Sequence, residues 1–232
     1  MRDDQAQRVW SIETGVPLQA VVDDPACPPL LRQALTGVLS WQARNETPLW
    51  RTLAAPRLAP QWVAGLLALG ATLVVHGEEN PLAVGSQFPR PERGEGLPHS
   101  YELNVRMGGL RWGEAHVART PTDEPIVAAV AVVRMAGHAV QTARVALTGV
   151  WREPVRLAQA AAQLVGGPLD ERRIQAVAAA VEQEVAPKGD FLGSREYRRA
   201  MAGVVTRRAL EAARHSERSE ESRSEESPGG GP

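Results

Sequence analysis

The stretch "DFLGSREYRRAM", Asp190 to Met201, changes from turn-forming residues to a helical pattern within four positions. Ser194 stands where an N-cap belongs, because its hydroxyl can accept from an otherwise unpaired N–H of the first turn. Beyond it Tyr197, Met201, Val204 and Val205 recur on one face, so Arg195–Ala213 reads as an amphipathic helix that needs a surface to cover. Working back, Asp170 caps a second pattern, Glu171–Val185, with Ile174, Val177, Ala178, Val181 and Val185 aligned. Val155–Leu164 reads as a third helix. Before these lie four strand-like runs, Tyr101–Arg106, His116–Arg119, Ile126–Met135 and Val140–Leu147, with Gly137-His138 as a hairpin turn between the last two. Strands followed by helices predict an α+β domain with an antiparallel sheet.

The N-terminal part differs. Ser11 to Val22 reads as a short strand and a turn, broken at Pro17. Pro28-Pro29 opens a helix carrying Leu31, Ala34, Leu35, Val38 and Leu39, and Pro60 opens another, Gln61–Leu69, which Gly70 ends. Thr72–Val75 then reads as a buried strand. Gly77 to Pro98 is rich in Gly, Pro and charge, which predicts an exposed connection and a domain boundary. Three units are therefore expected: residues 1–98, 99–214, and a tail over 215–232. In that tail the pentad RSEES occurs twice, and low apolar content predicts disorder.

Composition narrows the function. The 232 residues are 43% hydrophobic with a net charge of −1, so nothing draws the chain as a whole toward nucleic acid or anionic lipid. Arg198-Arg199 and Arg207-Arg208 lie nine residues apart on one helix, and at about 100° per residue they point to different sides. They predict a solvated or interface surface. No apolar run approaches a membrane span, and MRDDQAQRVW lacks the apolar stretch of a signal peptide. The single cysteine, Cys27, suits a reducing cytoplasm and rules out Cys-based clusters. His76, His99, His116, His138 and His215 are scattered without metal-ligand spacing, and no P-loop, GxSxG or GxGxxG follows a strand.

The blocks 190–201 and Arg207-Arg208-Ala209-Leu210, with "ARVALTGV" from Ala143, Pro154-Val155-Arg156 and Ala186-Pro187, resemble the C-terminal domain of the medium, FAD-carrying subunit of molybdenum hydroxylases. That family includes the flavoprotein subunits of carbon monoxide dehydrogenase and xanthine dehydrogenase. Over residues 1–98 the likeness is to a partial PCMH-type α/β flavin lobe. Its first half, with an A-G-G-T-D phosphate loop, would lie before Met1. The resemblance implies an antiparallel three- to four-stranded sheet with a three-helix C-terminal layer, and FAD as cofactor. As partners it implies an iron–sulfur small subunit and a molybdopterin large subunit. It also implies an oxidoreductase subunit that is not competent alone, passing electrons from iron–sulfur centres to an acceptor.

Carried over by position, Gln42-Ala43-Arg44-Asn45 resembles the family's Q-I-R-N, and its G-T-I-G-G-N falls on Thr47 to Thr52. The cofactor-facing positions are then Arg44, Asn45, Arg51, Thr52, Gln61, Arg119 and Asp123. Gln61 stands where relatives have an acid, and Glu114, Ala115 or His116 stands where they have a lysine. Glycines let backbone N–H groups approach a dinucleotide closely. Trp50 and Arg51 remove that freedom, and Pro48 removes a donor. A second reading follows: a cofactor-free docking subunit, or a decayed relative, with Trp50 and Trp62 as packing or interface anchors. Apolar surface left on the first lobe would favour a homo-oligomer or a partner.

Overall fold

A computed structural model describes residues 9–75, 82–84, 101–107, 109–120 and 123–225. Strand β1 (Val9–Glu13) comes first. Leu18–Asp23 then forms helix α1, where a turn was expected. Strand β1 ends at Glu13, Pro17 stands at the N-cap of α1 with a φ that suits a helix start, and Leu18 and Val21 are buried one turn apart. Helix α2 (Pro29–Thr36) buries Leu30, Leu31, Ala34 and Leu35. Two short helices follow, α3 (Trp41–Glu46) and α4 (Leu49–Ala54), with a 3-10 turn at Pro56–Leu58. Helix α5 (Pro60–Leu69) ends at Gly70 in the left-handed conformation. All ten of its residues are buried, so it runs through the interior and shows no polar face.

Strands β2 (Thr72–Val75) and β3 (Leu82–Ala83) pair with each other, and β4 (Tyr101–Arg106) lies between β1 and β2. All contacts in this sheet, ordered β1-β4-β2-β3, are antiparallel. Tyr101–Arg106 thus pairs with the N-terminal strands, which corrects the expectation that it joins the later strands of the unit 99–214. Alternation along a strand reports which side chains face a core, not which strand lies beside it. Apart from Leu82–Val84, the connection expected over Gly77 to Pro98 lies outside the described residues, as do His76 and His99.

The second sheet is β5 (Leu110–Val117), β6 (Val127–Ala136), β7 (Ala139–Thr148) and β8 (Val155–Leu157), antiparallel in that order. Its hairpin turns at Gly137. Every residue from Val127 to Val133 is buried. One face sends Val130, Val132 and Ala146 into the same cluster as Trp62 and Leu66 of α5. The opposite face packs Ala129, Ala131, Val133 and Leu147 under helices α6 (Glu171–Glu184) and α7 (Arg195–Glu225). A sheet covered on both faces explains why β6 is a continuous apolar run and does not alternate.

The third C-terminal helix is absent as such. Val155–Leu157 pairs with β7, and Gln159–Leu164 is a 3-10 segment anchored by Ala158 N–H donating to the Val145 carbonyl at 2.8 Å. Val155 and Leu157 alternate, and the edge of β7 was open to receive them. The layer over the sheet is therefore two α-helices and a 3-10 turn. Helix α7 continues through the first RSEES pentad to Glu225, where disorder was expected. Glu and Arg are good helix formers and no proline intervenes before Pro228.

Asp170 caps α6 through Oδ1, which accepts from Arg173 N–H at 2.8 Å. Asp170→Ala is expected to destabilise the protein by about 1 kcal/mol, read as a lower urea midpoint at unchanged slope.

Candidate functional site

The segment aligned with the family's flavin loop is folded as helical turn, and its amides are already used. Thr47 N–H donates to the Ala43 carbonyl at 3.1 Å, Leu49 to Val16 at 2.9 Å, Trp50 to Thr14 at 2.9 Å and Arg51 to Pro48 at 3.0 Å. Pro48 has no N–H to give. A phosphate cradle needs several free N–H groups converging on one point. Here they satisfy the protein itself, so residues 47–51 do not fit a dinucleotide in the way a glycine loop would.

The side chains tell a similar story. Arg44 is buried, donating from Nε to Gln19 Oε1 at 2.8 Å and from Nη1 to the Leu39 carbonyl. Asn45 donates to the Trp41 carbonyl at 2.8 Å, within its own helix. Thr52 is buried and donates to the Leu49 carbonyl at 2.7 Å. Arg51 is exposed. Gln61, at the start of α5, is buried with neither amide atom partnered. Arg119 and Asp123 do meet, as a surface ion pair at 3.6 Å. Among the described residues no hydrogen bond or ion pair joins that pair to the residues of 44–61. Trp62 is fully buried in the core, and Trp50 is half-buried.

Polar organisation is much stronger at the stretch that opens α7. Asp190 and Gly193 close a turn on each other's backbone at 3.0 and 3.3 Å. Asp190 Oδ1 also accepts from the N–H groups of Leu192 at 2.9 Å and Gly193 at 3.1 Å. Ser194 Oγ caps the helix by accepting from Tyr197 N–H at 3.1 Å. Arg198, one turn further on, grips both carboxylate oxygens of Asp190 at 2.8 and 2.7 Å through Nη2. Its Nη1 donates to the Ile126 carbonyl at 2.7 Å and the Gly149 carbonyl at 2.9 Å. One guanidinium thus ties the loop, the helix start, the entry to β6 and the exit from β7.

This corrects the expectation of a solvated arginine pair. Arg198 is 5% exposed while Arg199 faces solvent, since adjacent helical residues point about 100° apart. Arg207 behaves as expected of a surface residue and pairs with Glu211 at 3.3 Å. Sequence reasoning missed the staple, although Asp190 and Arg198 flank the Ser194 cap at a distance that lets them meet.

The Arg198 hydrogen bonds hold the Asp190 carboxyl below its ordinary value of 3.8, assisted by the Leu192 and Gly193 amides against a partial desolvation. A depressed carboxylate pKa stabilises the fold above the unfolded value, and that contribution is lost as pH falls through the folded one. Wild-type stability should therefore drop below about pH 4 with a component that Asp190→Asn lacks, measured by urea midpoints across the acid range. With the Asp190 side chain 45% exposed, solvent screening keeps this component modest.

Next to the staple is a cleft of about 590 Å³ between the start of α5, the entry to β6, the exit from β7 and the 188–192 loop. Thr148, Trp151 and Arg198 are among its lining residues, with Arg57, Arg152 and Lys188. Burial pushes the Cys27 thiol up to about 12, so it stays protonated and is a poor nucleophile. Among the described residues no group of three or more His, Cys, Asp or Glu is placed to hold a metal, and no helix is long and apolar enough to cross a membrane.

Residues 115–213 match the CO dehydrogenase flavoprotein C-terminal domain. The chain is 33% identical over 153 residues to the carbon monoxide dehydrogenase medium chain of Afipia carboxidovorans, covering 63% of this chain and 53% of that one. It is 31% identical over 194 residues to the carbon monoxide dehydrogenase medium chain of Hydrogenophaga pseudoflava, covering 80% and 67%. It thus spans about half the length of the first relative and two thirds of the second. Among solved structures it is similar to quinoline 2-oxidoreductase from Pseudomonas putida 86, at 25% identity and a TM-score of 0.71 over 90% of this chain and 76% of that one. A carbon monoxide dehydrogenase from Hydrogenophaga pseudoflava that lacks the Mo-pyranopterin moiety shares the fold, at 24% identity and a TM-score of 0.72 over 93% and 80%.

Proposed function

The chain belongs to the family of medium, FAD-binding subunits of molybdenum hydroxylases, and from that premise we propose that it is the medium-chain component of a molybdopterin-dependent dehydrogenase or hydroxylase complex. Its partners are an iron–sulfur small subunit and a molybdopterin large subunit. As the FAD-type subunit, its place is between the iron–sulfur centres and an external acceptor. The observation that carries this reading is the C-terminal module, in which the family blocks at 143–150, 154–156 and 190–210 converge on one sheet and one stapled helix. The redox chemistry of such a subunit is the flavin's own, and protein groups bind and orient it.

A second reading is favoured by the amides of residues 47–51. Because they donate to Ala43, Val16, Thr14 and Pro48, this segment adds nothing to a phosphate cradle. On that reading the chain acts as a docking subunit without a flavin of its own.

Coexpression of the full chain with candidate iron–sulfur and molybdopterin subunits, followed by purification and release of cofactor, separates the two. A stoichiometric complex with about one flavin per medium chain supports the electron-transfer role, and a complex lacking flavin supports docking alone. A chain that elutes by itself beside every coexpressed partner would overturn both.

A further inference from the structure

We infer that Phe191 anchors a protein-docking surface and seats in an apolar pocket with an acidic rim on a companion chain of the complex. Its side chain is 90% exposed, whereas its neighbour Leu192 turns inward against the core under α6 and α7. Tyr197, also exposed, lies over the same turn, since a Cβ on Gly193 would fall 2.9 Å from its ring. Phe191 adds nothing to the core, and an aromatic ring left in water is what an interface gains most by covering. The turn that presents it is fixed by the Asp190 and Gly193 backbone bonds, by the two amides on Asp190 Oδ1 and by the Arg198 grip. A ring held out on a rigid turn gives up little conformational freedom when it docks, which favours its use as an anchor.

Charge narrows the partner. Lys188 precedes the turn, and Arg195 and Arg199 follow it four residues apart, hence on one side of α7. All three are exposed, and Glu196 is the one exposed carboxylate of residues 188–199 left to oppose them, because the bidentate grip of Arg198 neutralises Asp190. An apolar centre in a basic rim fits a protein surface of opposite sign. Nucleic acid would need a longer basic stripe, and two net charges with one ring are fewer anchors than attachment to a membrane takes. This inference rests on the reading of the chain as a medium subunit with companion chains, and adds the place on this chain where one of them attaches.

Because the ring is exposed, Phe191→Ser should leave the urea midpoint unchanged. The full chain, wild type and variant, is titrated against the coexpressed pair of iron–sulfur and molybdopterin subunits. Affinity is expected to fall about tenfold or more in Phe191→Ser. Arg195→Glu combined with Arg199→Glu should slow association and reverse its dependence on salt, with dissociation changed much less. Benzoylphenylalanine placed at position 191 should crosslink, on irradiation, to one of the two companion subunits. A wild-type chain that binds neither subunit, or that binds phosphatidylserine vesicles through Phe191 instead, would overturn the medium-subunit reading and the anchor together. Wild-type binding with unchanged affinity in Phe191→Ser, or a crosslink only to a second copy of this chain, would overturn the anchor alone.

Discussion

Arg198→Met is expected to destabilise the protein by about 3 to 5 kcal/mol, the range for removing one partner of a buried charged network. The variant keeps the aliphatic volume but withdraws donors from the carbonyls of Ile126 and Gly149, which arrive from β6 and β7 and are 72 and 49 residues distant in the chain. Those acceptors are left without the guanidinium, and the loss is the desolvation of each as well as the bond. Arg198→Lys should recover little, because one ammonium cannot span two carbonyls and a bidentate carboxylate. Asp190→Asn should cost about 1 kcal/mol, since an amide oxygen still accepts and the side chain is 45% exposed. The ordering Arg198→Met well above Asp190→Asn, from guanidinium unfolding at pH 7, is the signature of a staple centred on the arginine. If the two variants lose the same small amount, the sheet and helix are held together by apolar packing alone.

Much of this architecture is written locally. Helix α6 shows its apolar stripe and its Asp170 cap, and the Gly137 turn marks the β6–β7 hairpin, because period and turn chemistry act over a few residues. What escaped depends on distant neighbours. Val155–Leu157 is a strand only because β7 offers it an edge, and Tyr101–Arg106 joins β1 and β2 across nearly the whole N-terminal half. The same limit governs the site. Arg44, Thr52 and the 47–51 amides occupy positions matching a flavin loop, yet Val16 and Thr14, some thirty residues upstream, take the amides of Leu49 and Trp50. Arg198 looked like half of a surface pair because nothing adjacent announces the two carbonyls it serves. The cleft was invisible for the same reason, since Thr148, Trp151 and Arg198 come together only once β7 and α7 are in place.

Gly113→Ala is expected to cost about 3 kcal/mol despite being the smallest possible change. Gly113 lies in β5 directly beneath α7, and a Cβ there would fall 2.3 Å from the Ala209 carbonyl oxygen, 2.6 Å from Ala213 N and 2.6 Å from Ala212 Cβ. Two of the three are helix backbone, so no rotamer change can relieve the clash, and the helix must lift. Alanine would otherwise gain about 0.5 to 1 kcal/mol over glycine within a strand through reduced chain entropy. Overpacking against a rigid helix outweighs that gain. Ala209 and Ala213 are fully buried, so a lifted helix also opens the core beneath them. Because α7 carries Arg198, the same displacement should loosen its hold on Ile126 and Gly149, and hydrogen exchange should rise at the start of α7 as well as over β5. Combining Gly113→Ala with Ala212→Gly removes one contact but leaves the carbonyl, so rescue should be partial. A Gly113→Ala variant within 1 kcal/mol of wild type would show that β5 and α7 are not locked at this point, and that the staple at Arg198 alone sets the position of the helix.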